Sequence, residues 1–282
     1  MHGALHQGRG VEGAPAHVKS HPTAVIDPAA RIAADVEIGA YAVIGPHVEI
    51  GSGCWIGPHC VITGHTRLGS GNRVFQFASI GEIPQDKKYA GEPTRVEIGN
   101  DNTIREYCTI NSGTVQDAGV TRLGNGNWLM AYVHLAPDCR VGDHTIFANN
   151  AQLAGHVHVA DYAILGGYTG VHQFCHVGAH CITGVSSVVL QDVPPYLTVS
   201  GNPARPYGIN SEGLKRRGFD AAAITGLQRA YRTLYRSKLT LEEAKRELEA
   251  QAADCPPVRL LVEFLSGATR GIVRERADRG RG

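Results

Sequence analysis

Charge is scarce in this sequence of 282 residues: Asp, Glu, Lys and Arg make up 19%, against roughly 25% in an average domain. Aromatic residues contribute 6%, and there are only 2 Met and 2 Trp. No run approaches about 18 apolar residues, so no membrane span is expected. Met1 to Ser20 has no apolar stretch of the kind a secretory leader needs, and a cytoplasmic location is expected. The 7 cysteines form an odd number without paired spacing, which argues against a disulfide framework. No nucleic-acid-binding motif is present. Disorder is excluded as well, because 43% hydrophobic content at a net charge of +1 favours collapse. Glycine is abundant, at 35 residues, but has no three-residue period, so the chain is not collagen-like.

What is present is a period of six. Ile26, Ile32, Ile38, Ile44, Ile50, Ile56, Ile62, Leu68, Val74 and Ile80 follow one another at that spacing. The phase resumes at Ile98, Ile104 and Ile110. It then runs through Leu123, Leu129, Leu135, Val141, Phe147, Leu153, Val159, Leu165, Val171 and Val177; Thr183 interrupts it and Val189 closes it. Neither a helix nor a flat strand has this period. It is the mark of a parallel β-helix, in which each hexad supplies one short strand and one corner. Two residues before each anchor the sequence places small residues: Ala24, Ala30, Ala42, Cys54 and Cys60, then Cys108, Cys139, Cys175 and Cys181. Cysteine there acts as a small apolar filler. Glycines after many anchors (Gly39, Gly45, Gly51, Gly57, Gly69, Gly81) are expected at corners that need permissive backbone angles. Three hexads make one coil, so residues 18 apart should stack roughly 4.8 Å from one another.

Two polar segments break the grid, Glu82 to Val96 and Asn111 to Arg122, and are expected to project as loops, favoured sites of function. Beyond Pro194-Pro195 the pattern turns helical: Ile224, Leu227, Tyr231 and Leu234 share a face. Thr240 with Glu243 forms a capping box, and Pro256-Pro257 opens a further helix. The expected organisation is a disordered extension at 1–20 and a β-helix at 21–203 with loops at 82–96 and 111–122. An α-helical domain follows at 204–273, then a disordered tail at 274–282. From Arg205 onward there are 16 Lys and Arg against 10 Asp and Glu, a balance of +6. The remainder holds 11 against 16, or −5. A basic helical end on an acidic prism suits an acidic protein partner.

Stacking arithmetic places Pro137 beneath Gly155 and Gln173, Asp138 beneath His156, and Ala154 beneath His172, with His134 and His158 nearby. Titratable groups thus gather over about three coils. Several stretches around these positions resemble the UDP-N-acetylglucosamine O-acyltransferases of lipid A biosynthesis. They are Gln76 to Gly81, Gln85 to Thr94, Gly155-His156-Val157, Val171 to Phe174, Gln191 to Tyr196, and Asn210 to Phe219. The resemblance covers about residues 18 to 273. It implies a left-handed all-β helix followed by a small α-helical domain, a homotrimer with clefts between prisms, and no cofactor or metal. It also implies transfer of a 3-hydroxyacyl chain from acyl carrier protein to the 3-hydroxyl of UDP-N-acetylglucosamine. Gly155 then matches the oxyanion donor and Asp138 the carboxylate beside the base. Lys88, His134, His156, His172 and Gln173 match other cleft residues, and Asp86 the residue reading the acyl 3-hydroxyl. Asn210, Glu212, Arg216 and Arg217 match the nucleotide-contacting segment, where guanidinium geometry suits phosphate.

The sequence departs from the family at the base itself. A His-Asp-Cys run is expected, and Pro137-Asp138-Cys139 stands in its place. Proline cannot accept a proton, and losing a general base costs about 10²–10⁴ in rate. Asn111 and Pro203 stand where relatives often carry His, and Val185 where members taking long acyl chains have Gly. A substitute base, for which His134 is the sequence-level choice, would keep the enzyme active. The alternatives are a weakened paralogue that binds nucleotide sugar or acyl carrier protein, or activity on another acceptor. A zinc-dependent γ carbonic anhydrase, which shares the fold, is disfavoured: none of the 14 histidines pair at its spacing.

Overall fold

The computed structural model describes residues 18–268 and 270–274; the expected extension up to residue 17 and the tail from 275 lie outside them. Among the described residues the strands form three sheets of eleven, nine and eight strands, and four helices follow. The chain coils as a left-handed parallel β-helix, visiting the three faces in turn. Val25–Ile26 pairs with Val43–Ile44, which pairs with Val61–Ile62, and the other faces stack likewise. The wall begins at Lys19–Ser20, paired with Glu37–Ile38, two residues before the expected start.

Each short strand turns one anchor inward. Ile56, Ile62, Ile80, Leu129, Phe147 and Leu165 are all 0% exposed. The small residue two positions earlier fills the remaining space, and all 7 cysteines are free and buried. Burial pushes the Cys139 and Cys181 thiols up to about 12, which keeps them protonated and unreactive.

Gly81, with φ of 85°, has the permissive backbone angle expected, but most of the glycines after the anchors have a different cause. Gly39 is not in a left-handed conformation; a Cβ there would stand 2.6 Å from the Pro58 backbone nitrogen of the next coil. Space between coils, not backbone angle, requires it. The left-handed residues sit two positions later and are mostly not glycine: Tyr41, His59, Phe77, Tyr107, Tyr132, Asp138, His156, Phe174 and His180. Their repetition builds ladders along the edges, such as Tyr41, His59, Phe77, Tyr107 and Tyr132, with successive ring centroids 4.8–5.1 Å apart. Offset stacking of this kind adds about 0.5–1.5 kcal/mol per pair beyond area burial.

Both interruptions project, but they are shorter than the polar composition indicated. Ser79–Glu82 and Arg95–Ile98 bound the first, and Thr109–Asn111 and Val120–Leu123 the second. Arg95 and Val96 belong to the wall because they pair with His65 and Thr66 on one side and Val120 and Thr121 on the other. Ladder pairing satisfies their backbone despite a polar sequence.

Leu197–Ser200 closes the stack and pairs antiparallel with Arg205–Ile209, so the wall continues past the expected boundary at 203. Helices α1 (Ser211–Arg216), α2 (Ala221–Tyr235), α3 (Leu241–Asp254) and α4 (Val258–Gly267) then pack together. The short α1 carried no periodic signal. Thr240 and Glu243 make the capping box. Afterwards the chain returns to the prism, where Asp192 N donates to Gly271 O at 3.0 Å and Val273 joins the prism core. Among the described residues no helix is long and apolar enough to cross a membrane.

Candidate active site

The titratable cluster forms at the edge between the nine-stranded and eight-stranded faces. Three successive corners stack there, at residues 136–139, 154–157 and 172–175. Asp138, His156 and Phe174 take the left-handed position, with φ of 62°, 60° and 63°. His156 N donates to Pro137 O at 3.0 Å and Phe174 N to Gly155 O at 3.1 Å. The His156 ring lies flat on Phe174, with centroids 4.4 Å apart and planes 9° apart. Among the described residues no acceptor takes the Gly155 N–H, so a donor stands ready beside His156.

Both loops leave from this same edge. The second folds back on the corner: Thr114 N donates to both Asp138 carboxylate oxygens at 3.0 Å, and Thr114 Oγ1 donates at 2.6 Å. Asp138 is 1% exposed, and its charge is held by these three bonds rather than presented outward. Further along, Asp117 Oδ2 lies 3.1 Å from His156 Nδ1, while Asp117 Oδ1 accepts from Arg140 at 3.2 Å. His156 and Arg140 hold the Asp117 carboxyl below the usual carboxylate range. Asp138 Oδ2 is 3.8 Å from the same His156 nitrogen. Pro137 is buried beneath this arrangement.

His134 and His172 lie beside the corner on the nine-stranded face, where they line a shallow groove with Gln152, Gly170 and Leu190. His134 Nδ1 sits 2.7 Å from Thr109 Oγ1, and burial lowers its pKa. Gln173 is exposed at the corner between His172 and Phe174. In the first loop Asp86 accepts from Lys88 N at 2.9 Å, and Thr94 and Ser112 tie the two loops together at 3.0 Å. Lys88 is exposed.

His158 lies just past the corner, stacked on His176 at 4.5 Å. Burial, helped by the neighbouring charges of His176 and Arg140, lowers its pKa from 6.5 to about 4. Between these values the unfolded chain takes up a proton that the folded one refuses, so stability is lost as pH falls from about 6.5 to about 4. Melting temperatures across that window should fall, and His158→Gln should flatten the dependence. An unchanged slope in the variant would remove His158 from this role.

The other sequence-selected residues sit on different edges of the same prism. Asn210 caps α1, accepting from Gly213 N at 3.1 Å and donating to His180 O at 3.0 Å, on the edge between the eight- and eleven-stranded faces. Arg217 lies on that edge too, donating to Tyr162 O at 2.8 Å and lying over the Tyr162 ring. Glu212 pairs with Lys215 at 2.8 Å, and Arg216 is exposed. Val185, 71% exposed, stands on the third edge. One chain therefore brings Pro137, Asp138, Gly155, His156 and Gln173 together, with His134 and His172 alongside. It does not bring Asn210, Arg217 or Val185 to them. The contribution of Asp117, and of Thr114 behind it, was not readable beforehand: a mid-loop acid has no periodic position to be stacked from.

Comparison with known proteins agrees with this architecture. The family model described as UDP N-acetylglucosamine O-acyltransferase, domain 2, matches residues 192–273, and the bacterial transferase hexapeptide model matches 121–155. The acyl-[acyl-carrier-protein]–UDP-N-acetylglucosamine O-acyltransferase of Thiobacillus denitrificans is 66% identical over 254 residues, covering 90% of this chain and 98% of that protein. The protein of the same name from Janthinobacterium sp. is 60% identical over 258 residues, with the same coverage. The solved structure of LpxA from Acinetobacter baumannii superposes with a TM-score of 0.89 at 49% identity, over 91% of this chain and all of that one. The UDP-N-acetylglucosamine acyltransferase structure from Francisella novicida gives 0.89 at 41% identity, over 91% of this chain and 94% of that one. Identity of 60–66% across 98% of the length of these relatives, with a TM-score of 0.89 to a solved structure of the same enzyme, places the chain in the family of acyl-[acyl-carrier-protein]–UDP-N-acetylglucosamine O-acyltransferases.

Proposed function

We propose that this chain transfers a 3-hydroxyacyl group from acyl carrier protein to the 3-hydroxyl of UDP-N-acetylglucosamine, the opening reaction of lipid A biosynthesis, in the cytoplasm. The observation that carries the reading is the match, at 66% identity, to 98% of the length of a relative named for this activity. The Gly155 N–H serves as oxyanion donor, which is a large contribution in acyl transfer. The groove beside His134 and His172 receives the reacting groups, with Gln173 at its rim and Asp86 and Lys88 on the neighbouring loop. Asn210, Glu212, Arg216 and Arg217 hold the nucleotide. Because these groups and Val185 occupy three edges of one prism, a complete site requires a second copy of the chain, and a homotrimer supplies one cleft per interface. Val185 in that cleft shortens the acyl chain accepted.

Pro137 favours slow turnover, a weakened member of the family that still binds its nucleotide sugar. The test is calorimetry with UDP-N-acetylglucosamine, an acyl-transfer assay over 3-hydroxyacyl donors of graded length, and light scattering. Saturable sugar-nucleotide binding, slow transfer favouring the shorter donors, and a trimer mass are expected. A monomer, or no binding of the sugar nucleotide, would defeat the reading.

A further inference from the structure

Resting on the acyl-transfer reading, the geometry points to His156, oriented by Asp117, as the proton acceptor that stands in for the base missing at position 137. Three neighbours are less suited to the role. Pro137 is buried and has no basic atom. Asp138 is buried and committed to Thr114. His134 has a hydroxyl, Thr109 Oγ1, against its Nδ1 rather than a carboxylate. His156 is one coil on from Pro137 at the same corner and bonds to its carbonyl. Its side chain is 22% exposed, so a substrate can reach it.

Asp117 at 3.1 Å from Nδ1 fixes the tautomer in which Nε2 keeps its lone pair, the arrangement of a carboxylate–imidazole base. Phe174 beneath the ring limits its rotation. The charged and titratable groups facing it are Asp117 from the loop, Asp138 from the corner, Arg140 bound to Asp117, and His158 from the following strand. Asp117 Oδ2 at 3.1 Å and Asp138 Oδ2 at 3.8 Å both lie on the Nδ1 side of the ring, which leaves Nε2 free to face a substrate. In the reaction the sugar 3-hydroxyl gives its proton to Nε2 while its oxygen bonds to the thioester carbon. The C–S bond then breaks, and the same proton passes from Nε2 to the departing carrier thiolate.

The test is a kinetic cycle on the full chain with UDP-N-acetylglucosamine and 3-hydroxyacyl carrier protein. His156→Gln should lower kcat by at least about 100-fold. Adding Pro137→His should restore far more activity in that background than it adds to the wild type, because a new base then replaces a lost one. Asp117→Asn should lower kcat about tenfold or more with KM for the sugar nucleotide little changed, and Asp117→Glu should recover most of the loss. Equal gains from Pro137→His in the two backgrounds would reduce His156 to a substrate contact and overturn the inference. So would an undiminished kcat in His156→Gln, or a comparable collapse in His134→Gln alone. A silent wild type with an active Pro137→His variant also overturns it but leaves the family reaction standing. Silence in both variants, with no sugar-nucleotide binding, defeats the reaction itself.

Discussion

Placing histidine at position 137 is expected to raise kcat for acyl transfer by at least about tenfold, a fraction of the 10²–10⁴ that a general base contributes. Binding of UDP-N-acetylglucosamine should change little. The backbone of this corner is already set: Pro137 O accepts from His156 N at 3.0 Å, and a histidine keeps that carbonyl. What the substitution adds is a titratable ring beside Asp138. Because Pro137 is buried, the melting temperature of Pro137→His is measured with its rate. A folded variant with no gain in kcat would show that the proline is not what limits this enzyme.

The largest effect on stability is expected from Asn102→Val. Inside the prism, at the position two residues before the anchor, one face carries amides in place of cysteine. Asn72 Oδ1 accepts from both nitrogens of Asn102, Asn102 Oδ1 from both nitrogens of Asn127, and Asn127 Oδ1 from Thr145 N and Oγ1, all at 2.7–3.0 Å. Asn102 is 0% exposed. Valine has no hydrogen-bonding atom there, so Asn127 N and Nδ2 lose their acceptor and Gly124 O loses its donor from Nδ2, while Asn72 Oδ1 keeps only the backbone N–H of residue 102. Each buried polar group so orphaned costs about 1–3 kcal/mol, so a loss of at least about 3 kcal/mol is expected from denaturant unfolding. A loss below about 1 kcal/mol, the net worth of one ordinary hydrogen bond, would mean that the ladder is decorative.

These two sites mark what the sequence made legible and what it hid. The period of six and the cysteines two residues before the anchors specified the β-helix, because each inward position repeats one environment. The same arithmetic aligned Asp138 with His156 correctly, since both occupy the corner position of consecutive coils. The asparagine ladder was hidden because each amide alone contradicts an apolar core, and only the neighbouring coils satisfy it. The glycines were located correctly, and Gly81 does take a left-handed angle, but most were explained wrongly: Gly39 answers to Pro58 across the coil gap, a contact between residues far apart in sequence. Asp117 was hidden for a similar reason, since the return of the second loop onto His156 depends on Thr114 finding Asp138.

The two ends of the prism are finished differently. At the far end the last coil is sealed by an antiparallel strand and four helices, and Val273 returns to plug it. Among the described residues, Ile26 and Ile32 at the near end remain partly exposed, and Lys19–Ser20 has a partner strand on one side only. A stack in which each rung touches only its neighbours melts as a one-dimensional chain. Among the described residues this one is therefore a zipper with its open end at the first coils. Thermal fraying that enters through the first coils must cross several rungs before it reaches the corner that holds His156, so that corner is shielded by its distance from the open end.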